Sequence, residues 1–200
     1  RSESGEAALK YLLLGGFATG FLLYGIALIY GSSGSLDIVA IATFIKNGGK
    51  PGAMLIAGMI MLMAGFSFKA SLAPFHQWAP DVYQGAPTPI TGFMSTAAKA
   101  AAFAVLIRII SLALPGLHKH WDAMLYVICI ATMFIGNVTA VAQTNIKRML
   151  AYSSIAQAGY LVIAILAGAK GIELGVATNY SSVAFYLLAY TLMNMGAFGV

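Results

Sequence analysis

Charged residues are scarce in this sequence. Only 8% of its 200 residues are Asp, Glu, Lys or Arg, whereas 60% are hydrophobic, and the mean hydropathy is +0.85. Soluble domains carry about 25% charged residues, so the composition excludes a water-soluble domain and predicts an all-α, polytopic integral membrane protein. The net charge of +5 is spread over short connectors and helix interiors instead of forming one basic face. We therefore expect a lipid bilayer around the chain and no nucleic-acid partner.

Cysteine is nearly absent too, since Cys129 is the single one and lies inside an apolar run. One thiol excludes an intrachain disulfide and a multi-thiolate metal site, and we expect Cys129 to pack as a small buried hydrophobe. His118 and His120 flank Lys119 in a short polar connector, a spacing weaker than any standard metal-binding pattern. The sequence therefore predicts neither a metal site nor a cofactor on this chain itself.

Long apolar runs are what the sequence has in abundance. A helix needs roughly 20 residues to cross the hydrocarbon core, and six runs approach that length: 9–30, 53–78, 89–114, 123–143, 148–169 and 176–200. Between the first two, the apolar stretch 38–45 predicts a short interfacial helix. Basic residues divide equally between alternate connectors, so the positive-inside rule gives no orientation. The chain starts at Arg1 and stops within an apolar run, and we expect it to be an excerpt of a longer polytopic protein.

The second run contains a helix breaker. Pro74 lies within it, with Lys69 on one side and His76 on the other. Proline lacks an N–H and its ring clashes with the carbonyl four residues earlier. Backbone groups freed in a membrane are tolerated only where they are buried in protein or line water. The sequence therefore predicts a discontinuous helix facing a hydrated interior, and such helices hold the ion sites of secondary transporters.

Three basic side chains are the main candidates for function. Lys99 lies ten residues into its run, about 15 Å from the helix start, where it cannot easily reach the headgroups. It shares a small, polar helix face with Ser95. Lys69 lies at the predicted break, and a buried lysine can exchange its proton near neutral pH. His76 either shuttles protons or bonds carbonyls freed by the break, and the sequence leaves both open.

Other charged residues fall near the ends of the predicted helices. Glu6 and Lys10 are one helical turn apart and predict an ion pair, with a place on an entry path as the alternative. Lys147 and Arg148 are expected to anchor a connector in the headgroup region. Asp81 follows the predicted break, where we expect it to cap or tie the turn.

The last two runs carry polar stripes. Gln157 lies on one stripe with Ser153 and Tyr160, where it either holds water in a chain or bonds across helices. Tyr190 and its neighbours four residues away form the other stripe, in the sixth run. Both stripes predict polar contacts between helices inside the membrane.

Four segments carry a resemblance to a known family. Residues 68–89 read F-K-A-S-L-A-P-F-H-Q-W-A-P-D-V-Y-Q-G-A-P-T-P, residues 95–99 read S-T-A-A-K, residues 143–155 read Q-T-N-I-K-R-M-L-A-Y-S-S-I, and residues 159–160 are G-Y. Together they resemble subunit N of the proton-pumping NADH-quinone oxidoreductases, respiratory complex I, equivalent to mitochondrial NADH dehydrogenase subunit 2. The V-Y-Q-G part of the first segment favours subunit N over the paralogous antiporter-like subunits L and M.

The resemblance implies a fold of two inverted five-helix repeats, each with one broken helix. Residues 1–115 would be the last three helices of the first repeat, and residues 116–200 the first three of the second. A glutamate partner of Lys69 would precede residue 1, and an exit lysine would follow residue 200.

The resemblance also implies roles for particular residues. Lys69 would be the essential lysine of the broken helix and Lys99 the connecting lysine, with His76 between them. Glu6 and Lys10 would match an acidic-basic pair at a helix entrance. Gln157 stands where some members of the family carry histidine, which puts a titrating role at that position in doubt.

The function implied is proton translocation within a redox-driven pump of the bacterial inner membrane. NAD, FMN, iron-sulfur clusters and quinone would be bound by other subunits, and the partners would be the other membrane subunits of the complex. Two alternatives stay open. One is a subunit of a multi-subunit cation/proton antiporter, and the other is a structural membrane scaffold whose lysines carry no protons.

Overall fold

The regular structure is helical throughout the residues that the computed structural model describes, which are 2–48, 52–174, 177 and 179–199. The α-helices are α1 Ser2–Ser33, α2 Ile38–Asn47, α3 Ala53–Ala70, α4 Trp78–Gly85, α5 Thr88–Phe93, α6 Lys99–Arg108, α7 His118–Val141, α8 Ile146–Leu174 and α9 Ser181–Gly199. A π-helical turn, Met94–Ala98, joins α5 to α6, and a second one, Ile109–Ala113, extends α6. The all-α prediction is confirmed.

Within the described part of the chain, six helices are long and apolar enough to cross a membrane: Ser4–Ser33, Ala53–Ala70, Thr88–Ala113, Pro115–Val141, Ile146–Ile172 and Ser181–Gly199. They correspond to the six predicted runs, and the protein is a multi-pass membrane protein. The helix ends differ from the predicted ones by several residues, because hydropathy does not register caps and turns. The apolar stretch 38–45 also forms its predicted short helix, α2, which begins where the Asp37 carboxylate accepts the Ala40 N–H at 2.8 Å.

The predicted break in the second run is confirmed. α3 ends at Ala70 because Ser71 adopts a left-handed conformation with φ of 59°. The Ser71 N–H bonds back to the Phe68 carbonyl at 3.0 Å, which closes the last turn of the helix. The chain then passes through Pro74, after a cis peptide bond, and becomes helical again at Trp78.

Neighbouring side chains bond the backbone groups that the break leaves free. The Ala73 N–H donates to the Thr132 hydroxyl of α7 at 2.9 Å, and the Trp78 indole N–H donates to the Phe68 carbonyl at 3.0 Å. Unpaired backbone groups are costly where water is excluded. These two bonds therefore fix the open segment against the rest of the fold.

α1 packs against α3 with almost no side chain between the two helices. A Cβ built at Gly25 would lie 2.7 Å from the Leu62 nitrogen and 2.8 Å from the Gly58 oxygen. Backbone atoms cannot move aside as the end of a flexible side chain can. The contact therefore depends on glycine at this position, as in other close helix pairs of membrane proteins.

We expect Gly25→Val to separate α1 from α3 and to lower the amount of assembled protein in the membrane several-fold. Overpacking of a tight contact typically costs about 1–3 kcal/mol, and more where backbone must move. Gly20→Val is the matched control, because its Cβ position has no atom of the described residues within 4 Å apart from the adjoining backbone of α1 itself. Quantitative immunoblotting of purified membranes measures the difference. Equal accumulation of the two variants would contradict this account of the contact.

α7 and α8 form the other close pair, and Cys129 lies between them. A Cβ at Gly136 of α7 would meet the backbone nitrogen of Ala156 in α8 at 2.6 Å. Cys129 is buried, and its thiol lies 3.3 Å from the Gly159 carbonyl, to which it donates. The predicted packing role of Cys129 is confirmed.

Candidate functional site

Lys99 is buried in the interior of the helix assembly. It begins α6, directly after the π-helical turn, and only 1% of the residue is exposed. Its Nζ donates to the Ser154 carbonyl at 2.8 Å and to the Ser154 hydroxyl at 2.6 Å. Within the described ranges, no carboxylate pairs with it. In the described part of the chain, the Lys99 amine is thus held by neutral oxygens of a single residue, Ser154.

The helix before Lys99 presents the polar face that the sequence predicted. Thr91, Ser95 and Lys99 are all buried. The Ser95 hydroxyl donates to the Gly92 carbonyl at 2.9 Å, which satisfies it inside its own helix. The π-helical turn between these residues was not predicted. Single π turns occur often at functional sites, and this one sets the rotation at which the Lys99 side chain leaves the helix.

The Ser154 hydroxyl bonds the Lys99 amine, and two tyrosine hydroxyls lie near Ser154. We call Lys99, Ser154, Tyr190 and Tyr83 together the hydroxyl cluster. The hydroxyls of Ser154 and Tyr190 are 2.7 Å apart, and either can donate. The Tyr190 ring centroid lies 6.0 Å from the Lys99 Nζ. The Tyr83 hydroxyl is buried and lies near Ser154 and Tyr190. It makes no hydrogen bond within the described part of the chain.

The sequence did not identify Ser154. Two serines are adjacent in α8, and the predicted stripe used Ser153, which is only half-buried, whereas Ser154 is 1% exposed. Spacing along one helix cannot decide between neighbours that point about 100° apart. Which of them meets Lys99 depends on how α8 packs against α6.

Lys69 and His76 lie at the two ends of the break. Lys69 is the last residue but one of α3, and its Nζ lies 5.9 Å from the Tyr11 ring centroid of α1. Its side chain is exposed at the surface of the described residues. His76 is half-buried, and its Nδ1 is buried without a hydrogen-bond partner in that same part of the chain. No hydrogen bond among the described residues joins Lys69 or His76 directly to Lys99.

An ion cluster of Glu6, Lys10, Asp81 and Arg148 joins α1, α4 and α8. Lys10 lies 2.8 Å from the Glu6 carboxylate, so that predicted ion pair is confirmed. It also bonds Asp81 at 2.8 Å, and Arg148 bonds the other Asp81 oxygen at 2.6 Å. A polar cleft of about 220 Å³ opens beside the four side chains.

One prediction about this region was wrong. Asp81 does not cap the turn after the break, because its carboxylate is used by cations from two other helices. Arg148 bonds Asp81, and Lys147 donates to the Ala86 carbonyl at 3.0 Å. Their place in the headgroup region stays a prediction. These contacts arise from tertiary packing, because α4 lies against both α1 and α8 and brings together groups that are distant in sequence.

Asp81 lies outside the six candidate spans, and its cation neighbours control its ionisation. The hydrogen bond from Lys10, and then that from Arg148, lower the pKa of the Asp81 carboxyl below its usual value, although partial burial opposes them. Because the pKa of this carboxyl is lower in the folded state than in the unfolded chain, the ionised carboxylate stabilises the fold fully above its ordinary pKa. This stabilisation is lost only as the pH falls through the lower pKa of the folded state. The Asp81 carboxylate is therefore ionised throughout the neutral range.

Gln157 bonds across helices, which is one of the two alternatives that the sequence left open. The Tyr186 hydroxyl of α9 donates to the Gln157 side-chain oxygen. Nearby, the Tyr160 hydroxyl of α8 accepts from the Asn137 amide of α7 at 3.0 Å. Polar groups thus connect α7, α8 and α9 on the side of the hydroxyl cluster where Tyr190 lies.

Metal ligands are not clustered in the described part of the chain, where no group of three or more His, Cys, Asp or Glu side chains comes together. His118 instead faces Asp122 at 3.9 Å and packs edge-on against Trp121. These contacts are those of a helix start, not of a ligand set.

Comparison with known proteins gives a match over the whole chain. The family model described as "NADH:quinone oxidoreductase/Mrp antiporter, TM" matches residues 1–200. The NADH-quinone oxidoreductase subunit N of Trichlorobacter lovleyi is 50% identical over 199 residues, which are 99% of this chain and 39% of that relative. The chain thus spans well under half the length of the relatives it matches.

Solved structures show the same relationship. A chain of respiratory complex I from Thermus thermophilus, solved with bound aureothin, is 42% identical with a TM-score of 0.81, over 100% of this chain and 40% of that one. A chain of the Mrp complex from Dietzia sp. DQ12-45-1b has a TM-score of 0.82 at 22% identity, over 96% of this chain and 34% of that one. At that identity the second likeness shows the fold alone.

Proposed function

Because the chain belongs to the NADH:quinone oxidoreductase/Mrp antiporter transmembrane family, we propose that it is a proton-translocating part of a redox-driven NADH:quinone oxidoreductase. The observation that most supports this is Lys99, a lysine that is 1% exposed and, among the described residues, bonded only to Ser154. A lysine at membrane depth is costly and is retained where it lies on an ion or proton path. The names of the relatives, which are subunit N proteins, supply the reaction.

The proposed mechanism moves one proton at a time between the two lysines. Lys69, at the end of α3, receives a proton and passes it through water in the break towards Lys99. The Lys99 amine accepts it on the nitrogen lone pair and becomes an ammonium that donates to Ser154. Charges placed close by in a medium of low dielectric change the proton affinity of each lysine, and this drives the transfer in one direction.

Other residues have supporting roles in this proposal. His76 would exchange protons with water in the break through its buried nitrogen. Glu6 and Lys10 would hold the entrance of α1 against α4. Gln157 would position Tyr186 and not titrate, since an amide has no proton to give at neutral pH. Residues 1–115 and 116–200 would be parts of two inverted repeats.

The remaining parts of the reaction would belong to other subunits. NAD, FMN, iron-sulfur clusters and quinone would be bound elsewhere in the complex, and the neighbours of this chain would be its other membrane subunits. The bacterial relatives support a location in the inner membrane.

An antiporter subunit is the second candidate, because the family description includes Mrp antiporters and a Mrp chain has the same fold. Identity separates the two candidates. It is 42% to the complex I chain and 22% to the Mrp chain, which favours the NADH-linked function.

Lys69→Met tests the function in the intact complex in membrane vesicles. We expect NADH-driven proton uptake to fall by at least about tenfold, since a positioned proton-transfer group contributes on the order of 100-fold or more. Lys46→Met is the control, because Lys46 is exposed on α2 and makes no bond in the described residues. Unchanged proton uptake in Lys69→Met would contradict the proposal. Proton movement driven by a sodium gradient without NADH would support the antiporter.

A further inference from the structure

We propose that the Ser154 hydroxyl is the junction through which Lys99 exchanges its proton, loaded from Tyr83 on α4 and unloaded to Tyr190 on α9. This inference rests on the proposed function, in which Lys99 carries protons. It adds three neutral side chains from three helices to the path. The proton then reaches Lys99 from the side of α4 and leaves it towards α9.

The unloading arrangement is present in the structure. Lys99 has only N–H donors when charged, so the 2.6 Å contact with Ser154 is a bond from Nζ to Oγ. The Ser154 hydroxyl hydrogen is then left for the Tyr190 oxygen, 2.7 Å away. Ammonium, serine and tyrosine therefore form a continuous line of hydrogen bonds from α6 to α9.

Burial leaves these groups few other partners. Lys99, Ser154 and Tyr190 are each at most 2% exposed. The Tyr190 carbonyl accepts from the Asn194 side chain at 3.1 Å, which holds this part of α9. A proton that leaves Lys99 by way of its hydrogen bonds must therefore pass through Ser154.

Tyr83 supplies an observation that does not depend on the bonds among Lys99, Ser154 and Tyr190. Tyr83 is 1% exposed, and its buried hydroxyl has no hydrogen-bond partner in the described residues, although Ser154 and Tyr190 lie near it. Buried hydroxyls are nearly always bonded, so an unbonded one calls for an explanation. Membership in a proton path explains it, because the hydroxyl must form a bond to Ser154 only in one state of the cycle.

Tyr83 of α4 is connected by ring contacts to the region of the break. The ring of Tyr83 packs edge-on against Trp78, with centroids 6.0 Å apart, and against Phe198 of α9. Trp78 in turn packs on Tyr11, whose ring lies under Lys69. Contacts between aromatic rings therefore connect Tyr83 of the hydroxyl cluster to the Lys69 region.

Each transfer conserves protons and moves no electrons. In loading, a protonated water on the α4 side gives a proton to the Tyr83 oxygen, the former Tyr83 proton moves to Ser154, and the former Ser154 proton forms an N–H bond with the neutral Lys99 amine. In unloading, one Lys99 N–H bond breaks towards Ser154, the former Ser154 proton moves to Tyr190, and the former Tyr190 proton leaves to a water molecule on the α9 side. Rotation of the three hydroxyls resets them.

The test uses single hydroxyl deletions in the intact complex, with NADH-driven proton uptake measured in vesicles at equal amounts of complex. We expect Tyr190→Phe and Ser154→Ala each to lower uptake by about tenfold, and Ser154→Thr, which keeps the hydroxyl, to restore most of it. Tyr180→Phe is the matched control, because it removes a tyrosine hydroxyl bonded to Ser111 at 2.8 Å, away from the hydroxyl cluster. It should pump normally.

Tyr83→Phe keeps the proposal testable if another variant fails to accumulate. It removes a hydroxyl that has no partner in the described residues, so we expect the variant to assemble at least as well as the wild type and yet to pump about tenfold more slowly. Normal uptake in Tyr83→Phe or in Ser154→Ala would overturn the junction.

Lys99→Met separates this failure from a failure of the proposed function. If Lys99→Met abolishes uptake while the hydroxyl deletions leave it unchanged, the junction is wrong and the lysine relay stands. If Lys99→Met pumps normally, both are wrong.

Discussion

Lys99→Met is expected to abolish proton uptake and at the same time to make the subunit more resistant to heat. The lysine is 1% exposed and pairs with no carboxylate in the described part of the chain. A charged lysine at the centre of a membrane helix costs about 2.5–3.5 kcal/mol on insertion scales, and its hydrogen bonds to Ser154 offset part of this. Methionine fills a similar volume without the charge. We expect a gain of about 1–2 kcal/mol, measured as a rise in the heat-inactivation midpoint of the assembled complex.

Lys99→Arg is the matched control for this result. A guanidinium keeps the charge and the donors but does not release its proton at any physiological pH. We therefore expect it to stop proton uptake as Lys99→Met does, without the gain in stability. If Lys99→Met becomes more stable to heat while its proton uptake stops, Lys99 is required for transport and not for folding. Proton uptake near the wild-type rate in either variant would contradict the assignment.

The spans and the break could be predicted from the sequence because each depends on local chemistry. Apolar length decides whether a helix can cross the bilayer. Pro74 breaks a helix through its own missing N–H. The last turn of α3 could not be placed, since it depends on Ser71 adopting a left-handed conformation that the sequence does not mark.

The candidate site was predictable only in part, for a related reason. Lys99 stands out because charge at membrane depth is rare, whereas Ser154 is an ordinary polar residue until α8 is packed against α6. Asp81 and Arg148 are 67 positions apart, and nothing in their own segments indicates that they meet. Single residues with unusual local chemistry can be read from a sequence, and their partners require the tertiary contacts.

Asp81→Arg is expected to remove most of the assembled protein. It would put a third cation between Lys10 and Arg148, which now lie 2.8 and 2.6 Å from the Asp81 carboxylate. Breaking a buried charge pair costs about 3–5 kcal/mol, and the partial exposure of these side chains reduces this to about 1–3 kcal/mol. α4 would lose its hold on α1 and α8, and Tyr83 would move with it. Immunoblotting of the assembled complex and proton uptake per complex measure the two effects.

Charge exchange distinguishes a specific ion bond from a general need for an acidic residue. In the double variant Asp81→Arg with Arg148→Asp, the bond between α4 and α8 can form in reverse, and we expect at least half of the lost complex to return. Lys147→Asp serves as the control second change, because Lys147 bonds the Ala86 carbonyl and not Asp81. It should give no rescue. Recovery with Lys147→Asp as complete as with Arg148→Asp would show that net charge, and not the bond joining α4 to α8, is what the assembly requires.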